Sequence, residues 1–348
     1  MEKKETLKYM TYYRGFAIVM IVMVHCVTRF LKGNATFEYG YAFLAHSTNL
    51  FLFISGFLFE YLLYKKYPFK VFVEKKVRRL IIPYLFWALP VALVFFVLKG
   101  FDFKYLGWTM WTGLGHSNEA HWYIHFIFLV FLISPVYVWL QNKKLLYPFV
   151  MPLFLLITLF SGRAEKNILF CEMNVFPLIG MFFLGMFFSH YRNKFVERLY
   201  KYDCFFILVG LVIVFLQGYY HLNTTLSFQN AITALMDGSA IMNYFSLNKI
   251  FLSVGFLLVF YRISRYVTQI PLLEKLAHYS FAIYFVHVYI LSCVDKLSHI
   301  LGLYKLGLES TVGGVLYFLL MSAIVISLSA CVIYILRKIP FTKDIVGV

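Results

Sequence analysis

The sequence predicts an all-α fold: a polytopic transmembrane helical bundle of about ten spans, with both termini cytoplasmic. Three observations carry that prediction. Of the 348 residues, 61% are hydrophobic and only 14% are charged, against about 25% charge in a soluble domain. The apolar residues form long continuous runs, where a membrane β-barrel would alternate. The basic residues gather between those runs. A mean hydropathy of +0.76 excludes an ordinary soluble enzyme, a disordered chain and a repeat solenoid. Aromatic residues make up 21% of the chain, with 40 Phe and 27 Tyr, which suits a lipid-facing surface with interfacial Tyr and Trp.

A span needs roughly 20 apolar residues. Ten runs are candidates: 13–31, 42–63, 80–98, 121–140, 145–160, 175–189, 204–220, 243–261, 277–297 and 311–336. The first follows a basic, polar head, as a secretory signal would. No small-residue cleavage site comes after it, so it reads as an uncleaved span. The fifth and sixth runs are short. The eighth contains Lys249, expected to snorkel toward an interface.

With the N-terminus inside and the spans alternating, most of the 32 basic residues fall on the inner side, above all in 64–79. This follows the positive-inside rule, so the net charge of +16 reports topology, and no nucleic-acid partner is expected. The five cysteines are scattered, without a C-x-x-C pair or a disulfide framework. Residues 1–348 read as a single membrane domain with no appended soluble domain, placed in the cell (cytoplasmic or inner) membrane. No internal repeat of the transporter kind is evident.

An ionisable group within a span costs about 2.5–3.5 kcal/mol on insertion scales, so each one calls for a reason. Arg14 and His25 are eleven residues apart, about three turns, which puts them on nearly the same helix face some ~16 Å apart along the axis. Arg14 lies at the cytoplasmic edge and His25 near mid-membrane. Ser280, Tyr284 and His287 follow i, i+4, i+7 and share a face. His287 lies about as deep in its run as His25 in the first, which suggests one common polar cavity.

Two further clusters are more ambiguous. Lys76, Arg78 and Arg79 open the third run from the cytoplasmic side, where an inward-pointing helix N-terminus with basic side chains would suit phosphate. The same charges also suit topology or contact with anionic membrane lipid. His121 and His125, at i, i+4 beside Trp122 and Tyr123, mark where the fourth run meets the outer face. That spacing can hold a metal, but no glutamate is placed as in H-E-x-x-H. A polar substrate pocket is favoured, and no metal is expected.

These residues fall into an ordered series: Arg14-x10-His25; Phe53-Ile54-Ser55-Gly56-Phe57-Leu58; Lys76-x-x-Arg79-Leu80-Ile81-Ile82-Pro83-Tyr84; Trp122-Tyr123 through Pro135; and Ser280-x3-Tyr284-x2-His287. In that series the chain resembles the acyltransferase-3 family of integral membrane acyltransferases, from residue 14 to residue 287. Two departures stand out. Lys76 takes the place of the first Arg of R-x-x-R, which loses the bidentate fork. Ala120-His121 stands where many relatives have His-Leu.

The resemblance implies transfer of an acyl group, most often acetyl, from cytoplasmic acyl-CoA to a hydroxyl of a surface polysaccharide or lipid-linked glycan. Relatives of similar length, tied to exported polysaccharide, use succinyl or other groups, so the acyl group stays open. Such chemistry asks for a cationic mouth for the donor's phosphates, which Arg14, Lys76, Arg78 and Arg79 would supply. It also asks for a base near neutral pKa, for which His25 is the best candidate, as base or as transient acyl acceptor. His287, Tyr284 or Ser55 would stabilise the thioester oxygen. His121, Trp122, Tyr123 and His125 would bind the acceptor. The competing reading is a transporter or flippase for a lipid-linked glycan, using the same cavity without acyl-CoA. A non-catalytic subunit would leave two mid-membrane histidines unexplained.

Overall fold

A computed structural model describes residues 7–63, 68–98, 100–104, 122–160, 178–222, 242–305 and 310–339. Regular structure among the described residues is all helix, with no strand. Among the described residues, seven stretches are long and apolar enough to cross a membrane. They are α1 (Lys8–Phe30); α2 with α3 (Phe37–Leu44, Thr48–Leu63); α4 with α5 (Phe69–Lys76, Ile82–Leu98); α10 with α11 (Arg192–Leu199, Asp203–Tyr219); α12 (Tyr244–Tyr266); α14 (Ser280–Ile300); and α15 (Thr311–Leu336).

An eighth is formed if α6 (Trp122–Leu132) and α7 (Ser134–Asn142), bent by 44°, count as one. The bend has a local cause. Pro135 lacks an N–H and constrains the residue before it, so the helix restarts at Ser134. Two shorter apolar helices follow, Leu146–Phe160 (ending in α8, Met151–Phe160) and α9 (Ile179–His190). Short α13 (Pro271–His278) precedes α14. The chain is a multi-pass membrane protein. Positions 121 and 175–177 of the expected spans lie outside the described residues.

The first helix is the hub of the bundle. It touches α2, α3, α12, α13, α14 and α15, and Tyr12, Tyr13, Ala17, Val22 and Cys26 are fully buried along it. In a bilayer, helices associate by close packing, and small residues let them approach. The crossing of α3 with α9 shows this most directly. A Cβ on Gly56 would lie 1.9 Å from the Phe182 carbonyl oxygen, and one on Gly185 would lie 2.0 Å from that of Phe53. Each glycine receives the other helix's backbone, so Gly56 is a packing residue. On the flank of the bundle, α11 packs on α12, and buried Asp203 is held by Arg262 at 2.9 Å. Leu208, Phe215, Leu316 and Leu320 point outward from α11 and α15, as lipid-facing residues do.

Two expectations are corrected. Lys249 does not snorkel: it is fully buried, and its ammonium donates to the carbonyl of Phe43. The reason is the break between α2 and α3, where His46 takes a left-handed φ of 59°. A broken helix inside a bundle leaves carbonyls without intrahelical partners. Lys249 meets one of them, and Asn248 Nδ2 meets that of Ala42 at 3.2 Å while also donating to Gln217 at 2.9 Å. Secondly, Lys76, Arg78 and Arg79 do not sit at a helix N-terminus. The helix begins at Phe69 after Pro68, and the basic residues fall at and within the π-helical turn Val77–Ile81 joining α4 to α5. The dipole of a helix start therefore does not act on them.

Candidate active site

Because α1 is continuous from Lys8 to Phe30, Arg14 and His25 do share a face. That face meets α14. Arg14 Nε donates to Ser280 Oγ at 2.7 Å, and its guanidinium lies over the Phe281 ring, 5.1 Å from the centroid. Further along the same pair of helices, the His25 and His287 rings are 5.2 Å apart, inclined by 45°. His287 is fully buried. Its Nδ1 lies 3.1 Å from the Ile283 carbonyl, an acceptor only, so Nδ1 carries the hydrogen. Nε2 is left as a buried lone pair with no hydrogen-bond partner among the described residues.

Three other predicted residues join this seam. Tyr284 is buried, its ring 5.9 Å from that of His287 and 5.9 Å from that of Tyr123. The Tyr123 hydroxyl is buried beside Ser55 and within the field of Arg14. Arg14, Tyr123, Tyr284, His287 and His25 thus lie along one seam of the bundle, drawn from α1, α6 and α14. Tyr123 touches Tyr284 on α14 and Phe51 on α3. His125, two residues on, packs edge-to-face on Tyr84 of α5 at 4.5 Å. Trp122 stacks on Phe126 at 6.3 Å. His121 lies outside the described residues.

The cations divide. Arg14, Lys76 and Arg79 are near enough to repel one another. Lys76 is half-buried, its ammonium 4.1 Å from the Phe131 centroid and 5.3 Å from that of Phe72, a cation–π setting in which Arg and Lys both serve. Arg78 and Arg79 are exposed. A π turn places successive residues on an altered face, and such turns recur at functional sites; here it carries both arginines.

An open cavity of about 550 Å³ lies along the first half of α1, bounded by Lys8, Thr11, Arg14, Tyr61, Glu274 and His278 among others. It reaches Arg14, the first member of that seam. The close approach of α13 makes the corner: a Cβ on Gly15 would lie 2.2 Å from the Leu273 carbonyl oxygen. His278, at the end of α13 outside the spans, is held below its ordinary value by burial and by the charges of Arg337 and Arg14. It therefore favours the neutral form.

Glu274 and His278 were not anticipated as neighbours of Arg14: they sit on a short amphipathic helix, Glu274 before the ninth apolar run and His278 at its start. A further group escaped the sequence altogether. Buried Glu60 accepts from Gln141 at 2.7 Å and lies 2.8 Å from His190 Nδ1. An acid near the end of an apolar run was the available signal.

The hub helix carries a seam of buried polar and aromatic side chains whose Arg14 end opens on a cavity, an arrangement suited to a polar substrate within the membrane. Comparison with protein families identifies it further. A family model described as an acyltransferase domain, that of the acyltransferase-3 family, matches residues 7–334. The chain belongs to that family and is an acyltransferase. Comparisons with curated proteins and with solved structures gave no match.

Proposed function

We propose that this acyltransferase moves an acetyl group from cytoplasmic acetyl-CoA to a hydroxyl of a surface polysaccharide or lipid-linked glycan. The single observation that carries the reading is the layout of α1. Arg14 stands at the cavity of about 550 Å³, and His25, three turns further, lies 5.2 Å from His287. The helix rise over eleven residues, about 16 Å, separates an anion-binding end from an imidazole end. That spacing suits a donor whose phosphates stay at the mouth while its thioester reaches mid-bundle.

In this reading Arg14, Lys76, Arg78 and Arg79 neutralise the donor's phosphates. His25 accepts the proton of the acceptor hydroxyl as the C–O bond forms. The C–S bond of the thioester breaks, and the CoA thiolate leaves, taking up one proton to end as the free thiol. The hydroxyls of Tyr284 and Ser55 serve the thioester oxygen where negative charge develops, while His287, whose Nε2 is an acceptor, supports His25 in taking up the proton. Tyr123, Trp122, His125 and His121 face the acceptor. The bundle has ten spans with both termini cytoplasmic, in the cell (inner) membrane. The seven longer candidates, the bent pair α6–α7 and the two shorter apolar helices, with the inward bias of basic residues, support that topology.

The test is purified protein with radiolabelled acetyl-CoA, scored for CoA release, together with mass spectrometry of surface glycans from cells with and without the protein. CoA release and loss of a glycan acetyl group are expected. No CoA release, or unchanged glycans, would overturn the reading.

A further inference from the structure

The far end of α1 carries a second cavity, of about 130 Å³, lined by Arg29, Lys32, Asp295, His299, Tyr304 and Tyr317 among others. It lies beyond the histidine pair from the larger cavity. Arg29 is one turn past His25, about 6 Å along the axis, and Asp295 is about 12 Å past His287. Both histidine-bearing helices therefore lead into it, and neither donor binding nor the histidine chemistry uses its side chains.

Its composition is specific. Asp295 lies between two bases, 3.5 Å from Arg29 Nη1 and 3.7 Å from His299 Nε2, so neither contact is tight. The Arg29 side chain is 58% exposed, and most of its five donors remain available. Lys32 adds a second fixed positive charge against one carboxylate. The walls are aromatic. Tyr304 lies 4.7 Å from the His299 ring at 32°, and Tyr317 is anchored by its hydroxyl to Ser298. Flat rings suit the face of a sugar, Asp295 suits its hydroxyls, and a guanidinium fork matches a carboxylate in bidentate fashion.

We propose that this cavity is a second acceptor subsite, on the far side of the histidine pair from Arg14, and that it selects an acidic sugar, one bearing a carboxylate. The proposal rests on the acyl-transfer reading and adds the acceptor's charge and the end of the bundle from which it enters.

The experiment uses the full chain in phosphatidylcholine nanodiscs, with saturation-transfer NMR on methyl glucuronide and on its uncharged counterpart, methyl glucoside. The glucuronide signal should exceed the glucoside signal several-fold. Arg29→Ala should bring it down to the glucoside level, and Arg29→Lys should keep part of it. Equal signals from the two sugars, or an undiminished glucuronide signal in Arg29→Ala, would overturn the proposal. So would Arg29-dependent binding of phosphatidylglycerol with no sugar preference, since the cavity would then hold a lipid headgroup. Binding of radiolabelled acetyl-CoA to the wild-type protein is measured alongside. Donor binding without sugar preference defeats the acceptor proposal alone, whereas absence of donor binding defeats the acyl-transfer reading.

Discussion

His25 and His287 face each other with ring centres 5.2 Å apart, on two helices that also meet through the 2.7 Å bond from Arg14 to Ser280. Two contacts at different heights set both the rotation and the register of α1 against α14. The imidazole pair is thereby held on the same seam as the arginine that reaches the large cavity. His287 contributes a buried Nε2 with no partner among the described residues, a costly state that a reacting substrate would relieve.

His25→Ala is expected to abolish detectable acyl transfer, because loss of a general base costs about 10²–10⁴ in rate. Expression and thermal stability should stay near wild type, since a polar group is removed from the membrane interior. His287→Ala should reduce turnover less. Turnover of labelled acyl-CoA by the purified variants checks both. An active His25 variant beside an inactive, folded His287 variant would exchange the two roles.

Arg79→Ala should raise the KM for acyl-CoA with little change in thermal stability, because Arg79 is exposed and lies within the field of Arg14 and Lys76. Lys76→Arg should be tolerated. Ser280→Ala removes the partner of Arg14, a charge-assisted bond of about 1.5–3 kcal/mol, and should raise KM roughly tenfold or more. Steady-state kinetics decide. A KM unchanged in Arg79→Ala would remove that residue from the donor site.

Gly56→Ala should lower the melting temperature although it alters no polar residue. The added methyl would stand 1.9 Å from the Phe182 carbonyl oxygen, backbone that cannot swing aside, and overpacking of this kind costs about 1–3 kcal/mol or more. Gly185→Ala should behave alike, whereas Ser55→Ala should leave the melting temperature nearly unchanged. Thermal unfolding followed by size-exclusion chromatography separates these cases. Equal stability of Gly56→Ala and wild type would mean that the α3–α9 approach is looser than described.

Lys249→Met should destabilise the protein. It preserves much of the side-chain volume but leaves the Phe43 carbonyl without its ammonium partner, and a buried acceptor left unpaired costs about 1–3 kcal/mol. The measurement is again the melting temperature. A variant as stable as wild type would show that the α2–α3 break does not depend on this cap.

Composition and the length of the apolar runs were enough to determine a helical multi-pass membrane protein, because lipid leaves helices and barrels as the only spanning structures. Helical periodicity also grouped Arg14 with His25, and Ser280 with Tyr284 and His287, since residues on one face of one helix are related by local geometry alone. Which faces meet is not local. The pairing of His25 with His287 spans most of the chain, and it depends on how α1 and α14 rotate and slide against their neighbours. The burial of Lys249 was illegible for the same reason: its partner Phe43 is 206 residues away, and a helix break there creates the carbonyl it caps. The displaced helix start at Phe69 arose because charged residues were read as an end, whereas a continuous backbone carried them into a π turn. The contacts of Tyr123 with Phe51 and Tyr284 were illegible too, because they join residues far apart in the sequence.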